Sequence, residues 1–280
     1  MACDEEKVGV SDETWVKLTT EDLVHHGFQL HEGLNTDTHP FHATSAPGSD
    51  GLHFSKLCDI HRWIHVQRNL RLIWDVTIPE DEVVVAGDHE AKAHRIIMQN
   101  PRPIPSEVWV RGVQHAWWNI MFMSDERKTH EVCLAAVRSD WRALNCVPKE
   151  HKTLQVCNAA VKMNGTALLY VPEKHKTLRM CTEAVKKEGR ILELVPEKHK
   201  EIDVCYAAVN QDGTALEFVP KRCKTHDLCI TAVRADGEAL QYVPKKHKTL
   251  EVCMAAVQKY WRVLRFVPAQ QRSKCLPVLH

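Results

Sequence analysis

The chain predicts an α+β N-terminal module followed by an α-solenoid of six 24-residue helical repeats. Three observations carry that expectation. Cys133, Cys157, Cys181, Cys205, Cys229 and Cys253 stand 24 residues apart, with no insertion or deletion between them. Around them the residues follow V-P-x-x-H-K-T-L-x-x-C-x-x-A-V-x-x-x-G-x-x-L, as at 147–168 and 171–192. Residues 1–122 share none of this periodicity. A fixed period of this length marks a stacked array in which each unit buries its apolar face on its neighbours. The expected division is an acidic α+β module over 1–122, a helical array over 123–267 and a tail over 268–280.

In the first segment, Leu23–Leu30 and Gly51–Phe54 read as short strands. A loop rich in Gly, Pro, Asn, Asp and Ser, 32–50, separates them. Ser55 can cap a helix over Lys56–Gln67, whose Leu57, Ile60, Trp63 and Ile64 form an apolar stripe. Leu70–Ile78 and Glu82–Ala86 read as strands around the turn at Pro79, and Ala91–Met98 as a short helix or strand. Pro101–Pro105 is a break. Glu107–Met123 reads as a helix that packs on the first repeat.

Within the repeat, Leu154, Cys157, Ala160 and Val161 have helical spacing, and so do Leu178, Cys181, Ala184 and Val185. Thr153, Thr177, Thr225 and Thr249 suit the N-cap, where a hydroxyl accepts from an orphan backbone N–H. Gly165, Gly189, Gly213 and Gly237 fit the left-handed position that closes a helix. A second, shorter helix follows in each unit and ends at Val-Pro, because the residue before proline avoids helical backbone. The glycine position holds Trp141 in the first unit and Trp261 in the last, which predicts that the two indoles act as structural caps.

Eleven cysteines would suggest a disulfide framework in a small secreted protein. Here six occupy equivalent apolar positions, where cysteine behaves as a small hydrophobe. The acidic segment Met1–Val10 also lacks the apolar stretch of a signal peptide. The expectation is a cytoplasmic or other reducing intracellular compartment. No run approaches the length that spans a bilayer, so no membrane insertion is expected.

The formal charge of +1 hides a split. Residues 1–122 carry 10 basic against 18 acidic side chains, and residues 123–266 carry 25 against 18. Lys152, Lys176, Lys200, Lys224 and Lys248 recur in register and are the predicted binding ridge for an acidic partner. A protein partner is favoured over nucleic acid, because the ridge lacks base-stacking aromatics.

Three clusters are weighed for chemistry. Cys58, His61 and His65 have metal-ligand residue types, but they interleave with an apolar stripe and lack a paired C-x-x-C. No metal is therefore expected. For hydrolysis, Asp88, His89, Glu90 and His94 are polar and close in sequence, but no nucleophile is near them and they read as surface; no G-x-S-x-G, P-loop or H-E-x-x-H occurs. Phe28–Gly33 followed by Gly51–Ser55 resembles the strand motifs of ADP-ribosyltransferases, and that resemblance implies a site at His31, at His53 or Phe54, and at Glu80 or Glu82, of which His31, Phe54 and Glu82 are taken as the alternative catalytic set. The H-G-[ST] form is absent, and an ordinary strand–loop–strand is the favoured alternative. No cofactor is expected.

The core T-x-x-x-C-x-x-A-V-x-x-x-G-x-x-L-x-x-V-P over Met123–Pro268 resembles a short helical repeat family of unknown function. Gly27–Ser55, with Trp74–Pro79 and Ala91–Met98, is similar to an N-terminal module of uncharacterised giant-virus ankyrin-type proteins. Neither of these two resemblances implies a catalytic residue. The expected function is a non-enzymatic interaction or structural subunit. An ADP-ribosyltransferase-like enzyme with a repeat targeting arm, and a nucleic-acid-associated protein using the lysine ridge, are the alternatives.

Overall fold

A computed structural model describes residues 14–275, apart from 26, 40, 43–49 and 65–68. The chain divides into two compact units, 1–139 and 140–280.

The N-terminal unit is built on β1 (Trp15–Thr19), β2 (Val24–His25), β3 (Phe28–Gln29), β4 (Gly33–Thr36), β5 (Leu52–Lys56), β6 (Leu72–Thr77), β7 (Val84–Ala86), β8 (Ala91–Ala93) and β9 (Arg95–Pro103). Seven of these strands form one antiparallel sheet, ordered β4-β9-β6-β1-β5-β8-β7, while β2 and β3 make a hairpin. Only His94 separates β8 from β9, so a strand near one side of this order runs on into a strand near the other, and the sheet curls on itself. Leu30, Leu52, Phe54, Trp74, Val76, Ala91, Ala93, Ile96 and Met98 fill the inside. Burying a side chain of this size contributes about 2 kcal/mol. The indole N–H of Trp74 donates to Thr19 Oγ1 at 2.9 Å, which satisfies the polar end of a ring otherwise closed off from water.

Alternation along β1 puts Val16 and Leu18 on the other face, beside Ile73 of β6. A 3-10 turn, Ile60–Trp63, packs on β1, and α1 (Ser106–His115) packs on that turn. The approach is close: a Cβ on Gly112 would lie 2.4 Å from Ile64 Cδ1. α2 (His130–Ser139) packs against α1 in turn.

Several expectations need correction here. The strand β1, central in the sheet, had not been anticipated. The helix expected over 56–67 is instead, over 56–64, the end of β5 followed by the turn Ile60–Trp63, and 65–67 lie outside the described residues. Ser55 caps nothing: its hydroxyl donates to His89 O at 2.6 Å inside the sheet. The Ile60 and Ile64 stripe is used up by burying one turn rather than several. The helix expected over 107–123 stops at His115. Ala116 is extended, and Trp117–Phe122 is 3-10. The expected loop at 32–50 contains β4, and the expected break at 101–105 lies partly in β9.

The C-terminal unit contains α3 (Leu154–Met163), α4 (Leu178–Lys187), α5 (Ile202–Gln211), α6 (His226–Ala235), α7 (Leu250–Lys259) and α8 (Ala269–Cys275). α3 to α7 start at 24-residue intervals. Each is followed by a six-residue 3-10 helix, such as Gly165–Tyr170, and preceded by a three-residue 3-10 turn, such as Glu173–His175. Thr153, Thr177, Thr225 and Thr249 each accept from the backbone N–H three residues on, as expected of N-caps. The second segment is 3-10 rather than α. Its start is fixed by Asn164, Asp212 or Asp236, whose side chain accepts from the N–H two residues later.

The buried face of each helix differs from the expected one by one member. Val156, Cys157, Ala160 and Val161 are buried, whereas Leu154 is 42 % exposed. Leu154 is the first helical residue and stays partly in solvent; Val156, two residues further in, takes its place. The glycines also act differently from expectation, because none of Gly165, Gly189, Gly213 or Gly237 has positive φ. Space is what they supply. A Cβ at Gly189 or Gly213 would lie 2.3 Å from the carbonyl oxygen of Ala208 or Ala232 in the next helix.

Candidate interaction surface

The lysines in register occupy a place that the sequence did not reveal. Lys176 and Lys200 are only 9 % and 8 % exposed, so the row is no solvent-facing ridge. Nζ of Lys152, Lys176, Lys224 and Lys248 donates to the carbonyl oxygen of Tyr170, Leu194, Tyr242 and Phe266 at 3.2, 3.1, 3.3 and 3.0 Å. Each acceptor ends a 3-10 helix, where the last carbonyls have no partner of their own. The lysine thus closes its own 24-residue period. Burial lowers the pKa of Lys152, Lys224 and Lys248, as expected when a charge is drawn out of water.

The register cysteines serve the same joint. Cys133, Cys157 and Cys205 point Sγ at the carbonyl of the lysine five residues earlier, at 3.3, 3.7 and 3.8 Å. All six are buried, as their helical spacing led us to expect. Burial pushes Cys157, Cys181, Cys229 and Cys253 up to about 11. Cys205 rises to about 12, by burial first and then by the neighbouring Cys223 thiol. A thiol so placed is a packing group rather than a nucleophile.

What the unit offers to solvent lies one or two residues to either side of the buried lysines. Lys174, Lys198, Arg222 and Lys246 recur at one position of the 3-10 turns and are exposed, with Lys221 and Lys245 beside the last two. Glu173 and Glu197 dilute this charge less than their number suggests, because Lys176 and Lys200 pair with them at 2.6 and 3.0 Å. Successive turns touch: Arg222 reaches Glu197 of the preceding turn at 3.3 Å, and Cys223 Sγ approaches Lys200 O at 3.5 Å. Next to the turns lie the first helical residues, Leu154, Leu178 and Ile202, exposed by 42, 39 and 39 %. The equivalent residue in α6 is His226, whose ring lies 6.4 Å from that of His247 in the following turn.

Trp141 is half-buried, and Trp261 is 60 % exposed with the Arg262 guanidinium 5.7 Å from its ring. Trp261 therefore covers little of the core. The residue after it that does is in α8, within the stretch expected to be a tail: α8 packs on α7, and Cys275 is buried near Cys253.

The residues implied by the transferase resemblance do not face one space. Phe54 is inside the sheet core, and His31 is exposed with Nδ1 2.8 Å from Glu32 O. Glu82 is held by Arg95 Nε at 2.7 Å and accepts from His94 N. Of the metal-type cluster, Cys58 and His61 sit in the turn after β5. His61 Nδ1 is 2.8 Å from Cys58 O, and its ring meets that of His115; His65 lies outside the described residues. Among the described residues, no three His, Cys, Asp or Glu side chains are arranged to hold a metal ion. Two buried lysines in the N-terminal unit were missed entirely. Lys17 Nζ donates to His53 O at 2.5 Å, and the fully buried Lys92 pairs with Asp50 at 2.7 Å. A lysine flanked by apolar residues in a short strand was the only signal.

Residues 178–224 and 226–271 match a family described as a domain of unknown function (DUF4116), in two tandem segments of the repeating region. No curated protein and no solved structure matches the chain. Among the described residues, no helix is long and apolar enough to cross a membrane.

Proposed function

We propose that the chain is a non-enzymatic interaction or structural subunit that consists of an acidic α+β module and an α-solenoid of six 24-residue repeats, the solenoid serving as a protein-binding scaffold. The observation that carries this reading is the recurrence of one exposed surface, turn and helix start together, at 24-residue intervals from Lys174 to Lys246. Repeating modules of this kind act by presenting extended surface. The buried positions support it too, since lysine, cysteine and glycine are all consumed in holding the periods together, which leaves variation to the outside. A reducing compartment fits six buried thiols, and the partner is a protein.

The test uses the full chain and NAD. Under the scaffold reading, isothermal titration with NAD gives no heat of binding, and incubation with NAD releases no nicotinamide. NAD cleavage that His31→Ala abolishes would replace the scaffold with the transferase. In parallel, a stoichiometric protein partner should co-purify with the full chain from its native source, and remain bound when His31 is replaced.

A further inference from the structure

The turn side of the C-terminal unit carries two rows of different character. One row is cationic: Lys174, Lys198, Arg222 and Lys246, with Lys221 and Lys245 alongside. Among the described residues, Lys174, Lys198, Lys221, Lys245 and Lys246 form no ion pair, so their charge is available. The N-termini of α4 to α7 begin just beyond these turns and add the positive end of each helix dipole. The second row is aliphatic: Leu154, Leu178 and Ile202, each about two-fifths exposed. The two rows are neighbours in space: His226, which stands in α6 where Leu178 and Ile202 stand in α4 and α5, has its ring 6.4 Å from that of His247, the residue after Lys246 in the next turn. Single exposed leucines are ordinary, but aliphatic side chains repeated at one position of three successive helices make a row of apolar surface.

We propose that this side binds an extended acidic polypeptide segment that also carries aliphatic side chains, its carboxylates on the cationic row and its apolar groups on Leu154, Leu178 and Ile202. The proposal rests on the scaffold reading and names the chemistry of the partner. Charge complementarity selects an acidic occupant. The aliphatic row then selects polypeptide over nucleic acid, since a sugar–phosphate backbone has no use for leucine, and neither row contains a Phe, Tyr or Trp on which a base could stack. The buried lysines are outside this surface, because Nζ of Lys152, Lys176, Lys224 and Lys248 is turned to a carbonyl and Lys200 is held by Glu197.

Fluorescence anisotropy with the full chain and three labelled probes tests this: a peptide of mixed Glu and Leu, poly-glutamate of equal charge, and single-stranded poly(U) RNA. The Glu/Leu peptide should bind about tenfold more tightly than poly-glutamate, a difference of about 1.4 kcal/mol. Lys174→Glu, Lys198→Glu and Lys246→Glu together should weaken it about tenfold, and Leu178→Ser with Ile202→Ser by a similar factor, with helical circular dichroism unchanged. Equal binding of peptide and poly-glutamate, indifference to Leu178→Ser with Ile202→Ser, or tighter binding of poly(U) would each overturn the proposal. So would a native partner that binds the full chain and ignores all five substitutions, an outcome that leaves the scaffold reading standing. Loss of binding on substitution, in the order peptide over poly-glutamate over RNA, supports it.

Discussion

In the N-terminal unit, Lys17 buries its ammonium group against the carbonyl of His53, a residue 36 positions away on a neighbouring strand. In the C-terminal unit, Lys152, Lys176, Lys224 and Lys248 do the same against carbonyls 18 positions away, each in its own period. The chemistry is shared, but its reach differs. Lys17 is placed only when β1 has found both β5 and β6, so its site exists only when the sheet does. Each of these four lysines closes a loop inside its own period, and then the glycine approach joins that period to the next. Order in the first unit is therefore global and costs long-range loop closure, whereas order in the second is local and multiplied.

Raising the pH should drive the two units apart, and this is the largest effect expected. Burial lowers Lys17 from 10.5 to about 8. Below about 8 the folded unit carries the buried charge at full cost. Between about 8 and 10.5 it sheds a proton that the unfolded chain keeps, so its stability rises, by about 2 kcal/mol at pH 10. The thiols have the opposite sign. Unfolded cysteines lose protons from about 9, while Cys157, Cys181, Cys229 and Cys253 keep theirs to about 11 and Cys205 to about 12. Each costs the repeating region about 1 kcal/mol at pH 10. The lowered lysines pull the other way, but five thiols outweigh them. Urea midpoints at pH 7, 8.5 and 10 should rise by tryptophan fluorescence, which six of the eight tryptophans of residues 1–139 dominate, and fall by helical circular dichroism. Parallel shifts would break the comparison.

Glycine substitutions come next, because the two units use glycine for different reasons. Gly213→Ala should cost about 3 kcal/mol, since its Cβ meets a backbone carbonyl that cannot move without shifting a helix. Gly33 has φ +96° with open space around it, so Gly33→Ala should cost about 1 kcal/mol through backbone strain alone. Thermal unfolding of the two variants should give that order.

How much of this could be read beforehand follows the same division. The repeat let the sequence be aligned with itself, and Thr153 as cap, Cys157 as buried thiol and the 24-residue spacing of the helices all emerged from it. Its blind spot was direction. A lysine at a fixed position looks the same in sequence whether Nζ faces water or the carbonyl of Tyr170, and Leu154 fits the helical period as well as Val156 does. In the N-terminal unit there is no second copy to compare. β1 is five residues with a lysine in the middle, and its partners lie at 55–56 and 72–75, where no local pattern points to them. Ile60 and Ile64 have helical spacing, yet packing against α1 satisfies them in a single turn. For the exposed rows, Leu178 and Lys174 were visible as residue types, but their shared side became apparent only once the turns were seen to touch.

Two smaller effects sharpen the contrast between adjacent lysines. Lys152→Met keeps the aliphatic stem but leaves the carbonyl of Tyr170 without its donor, and should lower stability by about 2 kcal/mol. Lys174→Glu, on the exposed side of the equivalent turn one period later, should change it by no more than about 0.5 kcal/mol. Chemical denaturation of the two variants separates them, and equal losses would return Lys152 to the surface role first expected of it.

The lysine closures bear on how such a chain changes length over generations. Each closure begins and ends within one period, so a duplication or deletion running from one Val-Pro to the next cuts none of them. Removing 195–218, for instance, joins Leu194 to Val219 and leaves Lys176 with the carbonyl of Leu194 and Lys224 with that of Tyr242. The new neighbours meet through Gly189 and Ala232, residue types already matched at every other joint. Recombination in whole periods is thereby buffered, while a shift of one or two residues inside a period breaks a closure and a joint at once. Unequal crossing-over can lengthen or shorten this part of the gene in steps of 72 base pairs, three for each of the 24 residues, and the products inherit a working joint.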